Sequence, residues 1–343
     1  MNLFKFTKSR VSSEHTSIGI DFGSFNVKLV KLRLSKDSAE LLELGIESVG
    51  VDTLEVLNKI TRSQDVKRLN SSFSGPATLI RYVNFPRMSY SELKQSLKFE
   101  ARKHIPFNVS KVNLDACILK NDLSDNKMLV LLAAVKKDSI KQRLKLIEDS
   151  GLIANLFDLD SLALINAFNF NYPADGSLKQ KAIALLNVGA SLSNLNILDE
   201  GLPRLSRDLH LGGNNFTQKL SDLLGVETVI AEGLKLKPEQ EHLAKITAGI
   251  ESVLANLASE IRTSFDYYES QCVNSVEKIF LSGGGSLFPG FKDMLANLLG
   301  IEVEHWDPLK RIQLAPNIDS QKAKSASGYL AIAVGLALRQ GKR

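Results

Sequence analysis

The sequence predicts a two-lobed α/β protein whose lobes hold a polyphosphate between them. Residues 18–28 and 184–193 each give the pattern of an apolar strand, a glycine-bearing turn and a second strand. Such a turn directs successive backbone N–H groups into one concavity, which suits phosphate oxygens. The chain has 343 residues, and a single hydrophobic core stops growing at about 250–300 residues. We therefore expect at least two domains, with one phosphate-binding turn in each lobe.

The composition is that of an ordinary globular protein, with 44% hydrophobic and 24% charged residues. Cys117 and Cys272 are far apart, which favours a reducing compartment over a disulfide framework. The five histidines form no cluster in the sequence, so no structural metal site is predicted. No apolar run approaches the roughly 18 residues of a membrane helix. Nothing in the sequence predicts a nucleic-acid partner.

Both ends of the chain are basic. Residues 1–15 form a predicted arm that combines Leu3, Phe4 and Phe6 with Lys5, Lys8 and Arg10. This arm and the net charge of +5 would suit an anionic membrane face. Lipid-binding clusters, however, usually hold about 4–8 basic residues. We therefore favour two solvated tails and keep membrane contact as the alternative.

The first part of the chain predicts a meander of strands, since apolar and polar residues alternate around short turns. Strands are expected at 16–22, 27–34, 40–49 and 77–85, with a hairpin turn at 36–38 and a helix at 52–62.

The segment 76–152 is predicted to be a compact insert of strand, helix, strand and helix. Ser89 and Glu92 form a capping box at the start of its first helix, and Pro106 ends that helix. A buried strand is expected at 128–135, and Asp138 is expected to cap the second helix.

The remaining elements follow from the same rules. A helix is expected at 156–169, and the polar loop 171–181 marks a lobe boundary. The further predicted elements are strands 182–188, 192–198 and 279–281, and helices near 216–224, at 249–271, after Pro289-Gly290 and at 329–338.

The first glycine-bearing turn carries candidate ligands for phosphate and metal. Asp21 ends a buried strand, where a carboxylate would hold Mg²⁺ through water. Ser24 and Asn26 are potential donors to phosphate oxygens. Lys28 is a candidate charge partner, although its alternation with apolar residues equally fits a solvated strand face.

Two further glycine turns strengthen the prediction of an anion site. Gly283-Gly284-Gly285-Ser286 follows a short apolar strand, and Gly212-Gly213-Asn214 precedes a helix. Glycines at such turns allow a close approach of the backbone to a ligand. Neither a P-loop nor a Rossmann fingerprint is present.

These turns, in this order, resemble the motifs of the actin-like ATPase superfamily. Within it the chain resembles the family of the type IV pilus assembly protein PilM, a relative of the division protein FtsA. That closer resemblance rests on residues 98–107, 158–164 and 331–339. It covers about residues 16 to 339.

The resemblance implies an actin-like (ribonuclease H-like) fold with an FtsA-type inserted subdomain. The first lobe would comprise 16–75, 153–180 and 325–343, with 76–152 as the insert. The second lobe would comprise 181–215 and 276–324, with 216–275 as a helical subdomain. ATP and Mg²⁺ are the implied cofactors. The implied nucleotide-binding residues are Asp21, Gly23, Ser24, Phe25, Asn26, Lys28, Asn187, Gly189, Ala190, Ser191, Gly212, Gly213, Asn214, Glu232, Lys235, Gly283, Gly284, Gly285 and Ser286. From spacing alone, Glu232 and Lys235 equally fit an exposed helix face.

The family also implies a partner. A groove beside the insert would take the cytoplasmic N-terminal segment of a PilN-like inner-membrane protein, with Phe99, Arg102, Ile105 and Phe107 as its expected residues. The protein would then lie in the cytoplasm at the inner face of the inner membrane. Pilus motor ATPases and a second copy of the chain are further partners left open.

One position departs from the family pattern. The second phosphate loop normally begins with Asp, and here that residue is Asn187. A neutral amide holds Mg²⁺ poorly and cannot act as a base. We therefore expect nucleotide binding with weak or absent hydrolysis, and Asp21 is the one candidate catalytic residue. The alternatives are an actin-fold small-molecule kinase, an FtsA-like division protein and a GspL-like secretion component.

Overall fold

The computed structural model describes residues 14–36, 38–50, 52–62, 67–173 and 181–339. The strands are β1 (His15–Phe22), β2 (Asn26–Leu34), β3 (Ala39–Ser48), β4 (Arg68–Phe73), β5 (Thr78–Pro86), β6 (Val112–Leu123), β7 (Lys127–Lys136), β8 (Ile153–Leu159), β9 (Ala182–Val188), β10 (Ser193–Asp199), β11 (Leu202–Leu209), β12 (Val276–Ser282), β13 (Glu302–His305) and β14 (Gln313–Leu314). The helices are α1 (Thr53–Thr61), α2 (Tyr90–Ala101), α3 (Lys137–Asp149), α4 (Asp160–Asn171), α5 (Gly213–Leu224), α6 (Thr228–Leu236), α7 (Leu243–Glu269), α8 (Phe291–Leu299), α9 (Ser320–Ala326) and α10 (Ala331–Ala337).

Three sheets organise these elements. The first lobe has six strands in the order β14-β3-β2-β1-β4-β8, and the second has five in the order β11-β10-β9-β12-β13. The insert has its own sheet in the order β5-β7-β6. In both lobes an antiparallel hairpin pairs with a parallel strand, β1 with β4 and β9 with β12. The two lobes are therefore built on related plans, as the two glycine-bearing turns predict.

The C-terminal helix α10 holds the first lobe together because all seven of its residues are buried. It packs between β1 and α4, where a Cβ on Gly335 would lie 1.8 Å from the carbonyl oxygen of Ala163. Only glycine permits so close a crossing. A Cβ on Gly19 would likewise lie 2.2 Å from the carbonyl oxygen of Ala333. The sheet, α10 and α4 are therefore packed tightly against one another.

The insert packs in two layers around its sheet. Helix α2 covers the outer face, and Leu93, Leu97 and Ala101 form a core with that face. Helix α3 lies on the inner face, between the insert sheet and β8. The predicted capping box is confirmed: Ser89 Oγ accepts from the backbone of Glu92, whose carboxylate accepts from the backbone of Ser89.

Aromatic side chains join the two lobes. Phe168 and Tyr172 of the first lobe stack in parallel with centroids 5.0 Å apart. Phe168 also lies 4.8 Å from Phe280 and 5.4 Å from Trp306, both in the second lobe. This cluster fixes how the lobes meet.

The structure corrects several sequence predictions. Strands β4, β6 and β11 were not predicted, so the insert sheet has three strands where two were expected. Residues 156–159 belong to a strand and not to the predicted helix, which begins at Asp160. Asp138 lies in the first turn of α3, and the N-cap is Lys136. The long helix α7 begins six residues earlier than expected, at Leu243. The predicted arm 1–15 lies outside the described residues except for its last two positions.

No helix among the described residues is both long and apolar enough to cross a bilayer.

Candidate functional site

The two predicted turns face each other across the cleft between the lobes. The β1–β2 turn and the β9–β10 turn approach so closely that Ser191 Oγ donates to Ser24 Oγ at 2.7 Å. In the second turn the N–H of Gly189 donates to the carbonyl oxygen of Leu192 at 2.9 Å. A Cβ on Gly189 would lie 2.7 Å from that oxygen, so the turn requires glycine. The two turns thus meet at one cleft.

Asp21 and Lys28 form an ion pair beside the first turn. Lys28 Nζ lies 2.8 Å from Asp21 Oδ2, because the β1–β2 register places the two residues opposite each other. The Asp21 side chain is 6% exposed and the Lys28 side chain 16%. Lys28 is therefore not a solvated strand residue, and its ammonium group neutralises the carboxylate that was expected to hold Mg²⁺.

Asn187 occupies the matching place at the end of β9. Its Oδ1 accepts from Ser282 Oγ at 3.1 Å, and its Nδ2 donates to Asn194 Oδ1 at 3.4 Å. The side chain is buried, and both ends of the amide are in use. The second turn therefore starts from a neutral group that acts as donor and acceptor at once.

Glycines from three separate segments meet behind the second turn. A Cβ on Gly213 would lie 3.4 Å from Gly285 Cα, and a Cβ on Gly285 would lie 2.6 Å from the carbonyl oxygen of Gly189. Gly283 has φ 92°, a left-handed conformation that favours glycine. The structure therefore brings together the turns that the sequence singled out at 189, 212–213 and 283–285. Ser286, in contrast, is fully buried, and its Oγ donates to the carbonyl oxygen of Gly283 at 2.7 Å.

Lys235 and Glu232 form a second ion pair beside this junction. Lys235 Nζ lies 2.6 Å from Glu232 Oε2 and 2.9 Å from Thr217 Oγ1. Its side chain is 5% exposed and also donates to the carbonyl oxygen of Gly213. Lys235 is thus fixed against the start of α5 and does not belong to an exposed helix face.

Sequence reasoning missed a second acid in the cleft, Asp160, at the first position of α4. Burial, together with the nearby charge of Asp21, raises the pKa of Asp160 to about 6. Ser72 Oγ donates to its Oδ1 at 2.5 Å, which works against that rise. The predicted helix 156–169 placed this acid within a helix. The structure instead places it at the junction of β8 and α4, where it faces the cleft.

Arg143 of the insert was also missed. Its guanidinium lies 4.0 Å from the centroid of Phe22, the residue after Asp21. Nη1 donates to Ser71 Oγ at 3.1 Å. Burial lowers the pKa of Arg143, and the charges of Asp160 and Asp21 raise it. An insert residue therefore lies beside Phe22, which precedes the first glycine-bearing turn, and amphipathic periodicity in α3 cannot show this contact.

The four expected groove residues do not share one surface. Phe99 is 63% exposed at the outer side of α2, with Lys103 Nζ over its ring. Arg102 is also exposed, whereas Ile105 is buried in the core of the insert. Phe107 packs against that core beneath Lys136.

An open cavity of about 380 Å³ lies elsewhere, between α3 and the first lobe. It is lined by Phe22, Ser72, Phe73, Ser74, Ala77, Ser139, Gln142, Arg143, Leu146 and Asp160.

The described residues contain no cluster of three potential metal ligands among His, Cys, Asp and Glu. The charged groups of the cleft instead form two lysine–carboxylate pairs and one arginine near two acids. Such a site can bind phosphates by backbone N–H groups and lysine charge.

The two related lobes and the glycine turns that face each other between them define an actin-like ATPase fold. Comparison with known proteins then narrows the class. Residues 19–341 match the family described as type IV pilus assembly protein PilM, and the chain belongs to that family.

Solved structures agree with this fold. The chain is similar to the protein in a structure titled "PilM-PilN type IV pilus biogenesis complex", with a TM-score of 0.84 and 23% identity. That similarity covers 98% of this chain and 100% of the other. Ethanolamine utilization protein EutJ from Carboxydothermus hydrogenoformans gives a TM-score of 0.55 at 12% identity, covering 96% and 91%.

The chain is also similar to a curated chaperone. Chaperone protein dnaK1 from Nostoc sp. (strain PCC 7120) is 22% identical over 359 residues, which cover 83% of this chain and 51% of the chaperone. The chain thus spans about half the length of this relative.

Proposed function

We propose that this protein is a nucleotide-binding scaffold of the type IV pilus inner-membrane assembly platform. The observation that carries the proposal is the meeting of the two glycine-bearing turns, with Ser24 Oγ and Ser191 Oγ 2.7 Å apart. ATP would lie between the turns and bias closure of the lobes, with little or no hydrolysis. Lys28 would pass from Asp21 to a phosphate, which frees the carboxylate for a Mg²⁺-bound water.

Titration calorimetry with ATP and Mg²⁺, followed by a phosphate-release assay, tests this proposal. We expect binding without measurable release. The Asp21→Asn variant should bind ATP about tenfold more weakly in Mg²⁺, since it loses a charge-assisted contact to metal-bound water. Asp222→Asn, which changes an exposed carboxylate of α5, should bind like the wild type.

A phosphoryl-transfer enzyme is the second candidate, because Asp160 is a buried carboxylate beside Asp21 with a pKa suited to proton transfer. Phosphate release that Asp160→Asn abolishes would support this candidate and overturn the scaffold without hydrolysis.

For the partner, we propose that a PilN-like N-terminal segment enters the cavity between α3 and the first lobe. The cavity of about 380 Å³ combines aromatic and aliphatic walls with Ser139, Gln142 and Arg143. Recognition of an extended segment uses such pockets for its side chains. Through this membrane-bound partner the protein would reside at the inner face of the inner membrane. The exposed surface of α2 around Phe99 and Arg102 is the alternative position.

Two substitutions distinguish these positions by fluorescence anisotropy with a labelled PilN-like peptide. Ser139→Trp fills the cavity and should weaken binding at least about tenfold, the usual cost of losing one buried anchor. Lys141→Trp places the same side chain on the exposed side of α3 and should have little effect. If Phe99→Ala weakens binding and Ser139→Trp does not, the segment binds on α2.

A further inference from the structure

The insert contacts the second lobe as well as the first. Its first strand, β5, lies against β11, the free edge of the second-lobe sheet. Tyr82 Oη and Ser206 Oγ share a hydrogen bond of 2.8 Å across this contact. At the far end of the insert, Lys120 Nζ lies 3.8 Å from Glu200 Oε2. A movement of one lobe relative to the other must therefore change either these contacts or the orientation of the insert.

The strongest of these contacts is made by Asp208 of β11. Its Oδ2 accepts from the backbone N–H of Gly75 at 2.6 Å. Gly75 lies just after β4, where the chain leaves the first lobe for the insert, and it has φ 72°. A charged acceptor makes this hydrogen bond stronger than one between neutral groups. Asp208 thus fastens the root of the insert to the second lobe.

The other oxygen of Asp208 leads back to the nucleotide cleft. Asn194 Nδ2 donates to Asp208 Oδ1 at 2.8 Å, and Asn194 Oδ1 accepts from Asn187 Nδ2 at 3.4 Å. Asn187 and Asn194 are buried, and they pair with each other across the β9–β10 hairpin, one position from the second glycine-bearing turn. A line of hydrogen bonds therefore runs from this turn to the root of the insert.

Packing supports the same connection independently of these polar contacts. Leu192, within the second turn, lies 3.6 Å from the position that a Cβ on Gly75 would occupy. A shift of this turn on nucleotide binding would thus press on Gly75 through Leu192 and pull on it through Asp208.

We propose that Asp208 is a positioning residue that couples the nucleotide cleft to the insert through Gly75. The proposal rests on the nucleotide binding proposed above and adds the route by which a nucleotide would affect the partner cavity. It also gives Asn187 a role: the line needs a donor toward Asn194, which a carboxylate at position 187 does not supply.

Hydrogen exchange measured with and without Mg²⁺ and a non-hydrolysable ATP analogue, AMP-PNP, tests the coupling. In the wild type, AMP-PNP should change the exchange rate over residues 75–86 about tenfold, a size that one charge-assisted hydrogen bond can produce. In Asp208→Asn the side chain has one oxygen and one N–H₂ group. The N–H₂ group must face either Asn194 Nδ2 or the N–H of Gly75, and both of these are donors. This variant should abolish the response at 75–86 and leave the AMP-PNP protection of residues 23–28 in place. Asp266→Asn, an exposed carboxylate on α7, should respond like the wild type.

The outcomes separate this inference from the proposed function. If AMP-PNP protects residues 23–28 and 189–193 but leaves 75–86 unchanged in the wild type, the coupling is wrong and nucleotide binding stands. If AMP-PNP protects neither turn, the proposed function is wrong and the coupling falls with it. Should Asp208→Asn fail to fold, Asn194→Leu removes the amide that joins Asn187 to Asp208 and should weaken the response at 75–86. An undiminished response in Asn194→Leu would then overturn the inference.

Discussion

The Arg339→Met variant should have a free energy of unfolding about 3–5 kcal/mol below that of the wild type, the usual cost of breaking a buried ion pair on one side. Arg339 Nε lies 2.6 Å from Asp158 Oδ2, and the two side chains are 8% and 0% exposed. Asp158 is the last but one residue of β8 and Arg339 lies just after α10, so the pair connects the end of α10 to the first-lobe sheet. Methionine fills a similar volume but leaves the carboxylate buried without its cation.

The loss of stability in Arg339→Met should become smaller as the pH falls, because Asp158 can then take up a proton. Burial raises the pKa of Asp158, and the attraction of Arg339 opposes that rise. Removing Arg339 raises the pKa of Asp158 further, so the folded variant binds a proton more tightly than the unfolded chain does. The variant therefore regains stability relative to the wild type as the pH falls through this raised pKa, and the full deficit is present above it.

Urea unfolding at pH 8 and at pH 5.5 measures both effects. Lys322→Met removes an exposed cation from α9 and should match the wild type at each pH. The double variant Asp158→Leu with Arg339→Met should recover most of the loss, because an apolar pair can replace a buried ion pair at little cost. A deficit that is the same at both pH values, or a double variant no better than Arg339→Met, would show that packing and not the unpaired charge causes the loss.

The fold could be predicted where local rules decide the structure. The capping box of Ser89 and Glu92 and the glycine-bearing turns at 23 and 189 depend on residues close in the sequence, and all three are present. Strand β6 escaped prediction because its polar residues, such as Asn113 and Asp115, break the apolar pattern, although pairing with β7 holds it in the sheet. Tertiary pairing decided that strand, and no local signal predicts it.

The candidate site could likewise be predicted only where residues close in the sequence determine it. Asp21 and the second turn at Gly189 were predicted as site residues from their turns, and the structure places Gly189, Gly213 and Gly285 close together. Arg143 and Asp208 were missed, because each acts on a segment more than 60 positions away in the sequence. Such contacts depend on how the insert lies against the lobes, which periodicity does not reveal.

The Asn187→Asp variant should make stabilisation by nucleotide strongly dependent on Mg²⁺, even though aspartate is the residue that the family pattern expects here. Without a metal, the variant should lose about 1–3 kcal/mol of unfolding free energy, the cost of a buried polar group left without its partner. The new carboxylate would face Asn194 Oδ1, which now accepts from Asn187 Nδ2. If the Asn194 amide turned around, its oxygen would face Asp208 instead. Either arrangement places two acceptors together.

Magnesium changes this balance, because a carboxylate is a better Mg²⁺ ligand than an amide. ATP with Mg²⁺ should therefore restore the variant to near wild-type stability, whereas ATP with EDTA should not. In the wild type the gap between the two conditions should be smaller, since Asp21 is then the one carboxylate offered by the two turns and Asn187 carries no charge. Thermal unfolding of both proteins in the two conditions measures the difference.

Asn297→Asp is the matched control, since it makes the same substitution at an exposed position on α8. It should show neither the loss without metal nor the larger response to Mg²⁺. If Asn187→Asp is as stable as the wild type in EDTA, the hydrogen bonds from Asn187 through Asn194 to Asp208 do not contribute to stability. The proposed coupling to Gly75 would then lack its first step. A variant that shows the loss and also releases phosphate from ATP would mean that the neutral amide at 187 prevents hydrolysis in the wild type. Asn187 would then have two roles: it would suppress hydrolysis, and it would connect the second turn to the insert.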